Sequence, residues 1–133
     1  MSTEALGWYE GKYIPPAPFA NVEIIRIDKR ALTQEAALID PGSDGTAVPL
    51  RVCRKLGLFA FPTEIVKVEA PGAPPQERVL YSASLKFVGL KKPVMVGLDC
   101  RDDIEETILG RDFLNEFKIT LDGRTGRVVI QET

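Results

Sequence analysis

The stretch ERVLYSASLKFV, residues 77–88, limits what this chain can fold into more than any other segment. Val79, Tyr81, Ala83, Leu85 and Phe87 fall on one side of an extended chain, and Arg78, Ser82, Ser84 and Lys86 on the other. Successive side chains alternate across a strand, so this pattern gives one apolar face as a strand and none as a helix. A strand with one apolar face needs partners and a covering layer, and the flanking sequence supplies them. NVEIIRID (21–28) and EAALID (35–40) are apolar strands joined by KRALTQ, which predicts a hairpin. TEIVKVEA (63–70) is a strand that PGAPPQE breaks. KKPVMVGLD (91–99) alternates again, TIL (107–109) is a brief strand, and KITLDGRTGRVVI (118–130) is a hairpin turning at Asp122-Gly123.

Two segments read as helix instead. In VPLRVCRKLGL, Val48, Val52 and Leu56 recur every fourth residue; Pro49 suits a helix start and Gly57 a stop. In GRDFLNEF, Phe113 and Phe117 stand four apart. Residues 1–20 carry YIPPAPFA, whose prolines forbid a helix and favour an extended arm. The expectation is an all-β domain over residues 21–133, closed or folded over on itself, preceded by an arm over residues 1–20.

Composition excludes several functions. A chain of 133 residues with net charge -2 has no basic excess for nucleic acid. There are no histidines, so Ser-His or Cys-His nucleophiles and histidine-ligated zinc are excluded. No cofactor or metal is expected. MSTEALGWYE lacks the basic and apolar regions of a signal peptide, and no apolar run approaches the roughly 20 residues that cross a bilayer. The expected location is the cytoplasm, with no membrane partner. Cys53 and Cys100 sit among apolar residues and are expected as small buried core residues rather than as a disulfide.

The chemistry concentrates at ALIDPGSDGTAVP, Ala37–Pro49, where an apolar strand ends on Asp40. Alone, Asp-Pro-Gly-Ser reads as a turn. A calcium loop does not fit: its third place is Gly42 and its twelfth is Arg51, neither of which supplies the needed carboxylate. A second segment, TILGRDFLNEF (Thr107–Phe117), changes the reading. Together the two resemble the paired signatures of retropepsin-like aspartic peptidases: apolar strand then Asp-Thr/Ser-Gly, and apolar pair then Gly-Arg-Asp/Asn before a short helix. The Pro- and Gly-broken hairpin between them also fits, and the resemblance covers roughly residues 20–131.

That resemblance implies a closed barrel with a flap hairpin and one or two short helices. It implies a homodimer acting on a peptide or protein substrate, with Asp40 of each copy as the catalytic residue. Gly42, Ser43 and Asp44 would line the substrate site, and Gly72 and Ala73 would sit at the flap tip. Arg111 would pair with Asp44 and pin the loop to the helix. A Ser43 hydroxyl donating to Asp40 would lower its pKa and favour an acidic optimum. Retroviral members dimerise through interleaved chain ends, and the hairpin ending this chain would supply that interface differently.

One position departs from the pattern. Pro41 stands where the family has Thr or Ser, whose N–H and hydroxyl tie the two loops across the twofold axis. Proline offers neither donor. Losing those bonds in both copies costs on the order of 2–6 kcal/mol if their acceptors stay buried and unpaired. The alternative to a working peptidase is therefore a catalytically weak or inactive barrel of the same fold that binds peptides or proteins.

Overall fold

The computed structural model describes residues 3–132, and among these residues the chain forms ten strands, two short α-helices and one turn of 3-10 helix. In chain order the strands are β1 (Glu4–Glu10), β2 (Ala17–Arg26), β3 (Leu32–Ile39), β4 (Ala47–Pro49), β5 (Pro62–Val68), β6 (Gln76–Phe87), β7 (Val94–Arg101), β8 (Thr107–Leu109), β9 (Phe117–Asp122) and β10 (Arg127–Glu132). The helices are α1 (Leu50–Leu56) and α2 (Arg111–Leu114). The strands form one sheet in the order β5-β6-β7-β4-β8-β3-β2-β1-β10-β9. A further pairing of β6 with β2 closes six of them into a barrel.

The alternating stretch behaves as its period requires. Ala83, Leu85 and Phe87 are buried in the barrel, while Ser82, Ser84 and Lys86 are half-exposed. Strand β6 is long enough to serve two structures. Gln76 to Tyr81 pair with β5 as a hairpin standing out from the barrel, and Ala83 to Phe87 pair with β2. Val79 belongs to the hairpin and is exposed there, which the alternation alone does not reveal.

The core lies inside the barrel, with Phe87, Phe113 and Phe117 meeting at ring-centroid distances of 4.7 to 5.2 Å. Offset and edge-on aromatic pairs of this kind add to the burial of their area. Helix α1 buries Val52, Cys53 and Leu56 on one side and ends at Gly57, whose φ of 67° suits a residue without Cβ. Arg54 and Lys55 occupy its last turn, where cations favour the helix dipole. Helix α2 is shorter than its sequence spacing predicts, because Phe117 already opens β9.

Two expectations about the ends and the cysteines change. The described part of the expected arm is extended but woven into the sheet: β1 pairs with β10 from Glu4↔Gln131 to Trp8↔Arg127, and with β2 at Trp8↔Phe19. Trp8 and Tyr13 stack on the buried Phe19. The expected division at residue 20 falls inside β2.

Cys53 and Cys100 are not free core residues; they form a disulfide. The reason is tertiary. Strand β4 pairs with β7 at Val48↔Cys100, and α1 follows β4 directly. Cys53, one turn into the helix, is thereby carried over Cys100 to a Cα–Cα distance of 6.2 Å, which a disulfide spans.

Candidate active site

Asp40 is the first residue beyond β3, at the point where parallel pairing with β8 ends (Leu38↔Ile108, Ile39↔Leu109). Its N–H still donates to the Leu109 carbonyl at 3.1 Å, so the strand's hold reaches the aspartate itself. Beyond it the chain turns. The Ser43 N–H donates to the Asp40 carbonyl at 3.0 Å, and the Gly42 N–H donates to the Asp40 Oδ1 at 3.0 Å. A short carboxylate bonding an amide two residues on is the local turn that aspartate favours. It fixes one carboxylate oxygen with a charge-assisted bond.

Helix α2 holds this loop from the side. Arg111 donates through Nη1 to the Pro41 carbonyl at 2.7 Å and through Nη2 to Asp44 at 2.5 Å. The Asp44 carboxylate is 94% exposed, so the ion pair itself contributes little to stability. Its effect is on orientation, because the same guanidinium also grips the backbone next to Asp40. Backbone bonds continue the clamp: the Arg111 N–H donates to the Ser43 carbonyl and the Asp112 N–H to the Asp44 carbonyl.

Two residues that the sequence reading gave no role complete the clamp. Thr46 is buried, and its hydroxyl donates to Asp112 Oδ1 at 2.8 Å while accepting the Gly110 N–H at 3.1 Å. The Thr46 N–H donates to Asp112 Oδ2 at 3.2 Å. The signal for Asp112 lay inside the quoted Gly-Arg-Asp. A carboxylate at the start of a short helix needs donors, and a threonine in the opposite loop is a natural source. Gly110 is required for another reason: a Cβ there would stand 2.2 Å from the Gly45 carbonyl oxygen.

Ser43 is placed differently from its expectation. Its hydroxyl donates to the Gly45 carbonyl at 2.7 Å and not to Asp40. The expected bond from that hydroxyl to Asp40 is therefore not made. The side-chain oxygen of Asp40 accepts from the Gly42 N–H instead.

The loop opens into a cleft of about 1000 Å³. Asp40, Gly42, Ser43 and Asp44 line one side, Val66, Val68 and Leu80 of the β5–β6 hairpin line another, and Met95, Gly97, Ile104 and Ile108 line the walls. Gly72 and Ala73 lie at the exposed tip of that hairpin, where the Ala73 N–H donates to the Ala70 carbonyl at 3.1 Å. The cleft lining comes from lower down the hairpin.

The charged segment RDDIEE (101–106) contributes to the cleft and to its surroundings. Ile104 lines the cleft, and Glu106 receives hydrogen bonds from Lys12 and Tyr13 of the β1–β2 connection. Burial pushes the Glu106 carboxyl up, but the bonds from Lys12 and Tyr13 outweigh it and hold the group below its ordinary pKa. Arg101 bonds Asp103 at 2.8 and 2.6 Å and holds that carboxyl down. Buried Asp99, on the cleft wall, receives Arg78 at 2.9 Å and Arg101 at 3.4 Å. None of these partners is near in sequence to the Asp40 motif.

A six-stranded barrel with an aspartate loop clamped by a Gly-Arg-Asp helix and a hairpin over the cleft is the retropepsin-like all-β fold. Solved structures agree. A retropepsin-like aspartic protease from Rickettsia conorii is similar with a TM-score of 0.66 at 14% identity, over 97% of this chain and 90% of that one. The retroviral protease-like domain of Ddi1 from Leishmania major is similar with a TM-score of 0.54 at 15% identity, over 86% and 94%. No family model and no curated protein matches the sequence. Among the described residues no helix is long and apolar enough to cross a membrane.

Proposed function

We propose that this chain is an aspartic endopeptidase-like domain that works as a homodimer, each copy giving Asp40 to one shared site. The observation that carries the reading is Asp40 itself, fixed at a strand end by the Leu109 carbonyl and the Gly42 amide and opening into a cleft under a hairpin. Two carboxylates within hydrogen-bond reach cannot both ionise cheaply, so they hold one proton between them. The ionised carboxylate takes a proton from a bound water as the water oxygen attacks the peptide carbonyl carbon. The protonated one gives its proton to the carbonyl oxygen. Proton return to the amide nitrogen then lets the C–N bond break. The titration of such a site belongs to the pair.

An extended peptide or protein segment is the substrate. Gly42, Ser43 and Asp44 line its path from below, and the hairpin, with Gly72 and Ala73 at its tip, adds to it from above as a strand. Pro71, Pro74 and Pro75 leave that tip few donors. The Cys53–Cys100 disulfide favours an oxidising compartment over the cytoplasm expected from the sequence.

The test is hydrolysis of a mixed peptide library by the 133-residue chain across acidic to neutral pH. Cleavage that disappears in Asp40→Asn supports the reading; cleavage that persists in Asp40→Asn rejects it. Pro41 favours a second reading, a peptide-binding barrel without turnover, since it cannot make the cross-axis bonds of Thr or Ser. Peptide binding without hydrolysis, in both the natural chain and Pro41→Thr, selects that reading.

A further inference from the structure

A second pocket opens beside the cleft. It holds about 260 Å³ and is lined by Tyr13, Leu38, Ile104, Glu105, Glu106 and Ile108. Ile104 and Ile108 also line the cleft, so the pocket and the cleft share a wall. Leu38 pairs with Ile108 and stands two residues before Asp40, about 7 Å along an extended chain. A peptide lying across Asp40 therefore passes the mouth of this pocket with one of its side chains.

Floor and rim of the pocket differ in chemistry. Leu38, Ile104 and Ile108 are half-buried and apolar, which suits a hydrocarbon stem. The rim is acidic. Glu106 is already engaged: it accepts bonds from Lys12 and Tyr13, and the Lys12 ammonium lies 5.5 Å from the Tyr13 ring centroid. Glu105 is exposed, and its carboxylate forms no hydrogen bond or ion pair among the described residues. Arg51 donates to the Glu105 backbone carbonyl, not to its carboxylate, and pairs with Glu35. By contrast, Asp44 and Asp99 on the cleft walls have arginine partners, Arg111 for the one and Arg78 with Arg101 for the other.

We propose that this pocket receives a lysine or arginine side chain of the substrate, with its stem on Leu38, Ile104 and Ile108 and its charge at Glu105. The inference rests on the peptide-cleft reading above and names the kind of segment that the cleft selects, one with a basic residue close to the bond over Asp40. An apolar floor with a carboxylate at its mouth fits such a side chain at both ends. Norleucine fits the floor alone, and glutamate meets like charge at the rim. The selection acts through an exposed carboxylate, so it amounts to a few-fold rather than orders of magnitude, and it weakens as salt rises.

Binding tests the pocket apart from turnover. The full chain carrying Asp40→Asn is presented with acetylated octapeptide amides in which each position in turn is lysine, arginine, norleucine or glutamate and the others are mixed. At one position lysine and arginine are expected to bind about threefold or more tighter than norleucine, with glutamate weakest. Glu105→Gln, added to the same chain, is expected to abolish that margin, and Glu105→Lys to turn the preference toward glutamate. Glu105 is exposed, so both variants are expected to keep the thermal midpoint of the parent chain. A basic preference that survives Glu105→Gln, or none at any position, overturns the assignment of the pocket. The peptidase reading then still stands or falls on Asp40-dependent hydrolysis by the natural chain. If no octapeptide binds, the pocket and the peptide-cleft reading fall together.

Discussion

Asp112 receives Thr46 twice, once from the hydroxyl at 2.8 Å and once from the backbone N–H at 3.2 Å. The two residues lie 66 positions apart, one just past the Asp40 turn and the other in α2. Their pairing makes the aspartate loop and the Gly-Arg-Asp segment a single unit.

Breaking that unit has a measurable cost. Asp112→Ala leaves the buried Thr46 hydroxyl and its N–H without their acceptor, which costs about 1–3 kcal/mol. Denaturant unfolding is expected to show that loss in full for Asp112→Ala and in smaller part for Asp112→Asn, which keeps one acceptor. Equal stability of the natural chain and Asp112→Ala contradicts the role given to the pair.

Gly110→Ala is expected to be among the most damaging small substitutions in the chain. Its Cβ meets the Gly45 backbone at 2.2 Å, and backbone on both sides leaves no flexible side chain to move aside. Overpacking of this kind costs about 1–3 kcal/mol and sometimes more. Thermal unfolding checks it, and an unchanged midpoint means that the two loops do not approach as described.

Pro41→Thr is expected to tighten the proposed dimer and leave the Arg111 clamp intact, because Arg111 bonds the carbonyl of position 41 and not its side chain. A gain of about tenfold in dimer affinity corresponds to one or two net hydrogen bonds across the axis. Sedimentation equilibrium measures it. No gain would mean that position 41 does not face its symmetry mate.

Removing the disulfide by Cys53→Ala with Cys100→Ala frees a loop with a sequence separation of 47. Loop-closure entropy puts the loss at about 4 kcal/mol, and strain or residual structure in the unfolded chain lowers it toward 2. Unfolding of the natural chain with and without reductant should differ by the same amount. Identical curves would show that the bridge adds nothing to stability.

Glu106 is one contributor to acid stability. Its folded pKa lies below its ordinary value of 4.5, so its bonds to Lys12 and Tyr13 stabilise the fold fully above that value. The contribution is lost as pH falls through the lowered folded pKa. Glu106→Gln is therefore expected to melt earlier than the natural chain at pH 6 and to approach it at pH 3. A gap of the same size at both pH values argues against the ion pair as its source. Lys12 and Tyr13, raised by the same contact, add the mirror behaviour: their contribution is present below their usual pKa and is lost at high pH.

Local spacing in the sequence carried the parts of the fold that depend on local geometry. The alternation in 77–88 set the phase of β6 where Ala83, Leu85 and Phe87 enter the core, and Gly57 marked the end of α1. The two motifs drew attention to Asp40 and Arg111 through their resemblance to the retropepsin-like signatures, since Asp-Pro-Gly-Ser alone reads as a turn. Tertiary structure decided the rest. It carried Cys53 onto Cys100, gave Thr46 to Asp112, turned the Ser43 hydroxyl toward Gly45, and wove Glu4–Glu10 between β2 and β10. Most of these outcomes hang on which strand lies beside which. A side-chain period fixes the face that a segment buries but carries no information about its neighbour, since every strand edge presents the same backbone donors and acceptors. Only packing the whole barrel selects the partner.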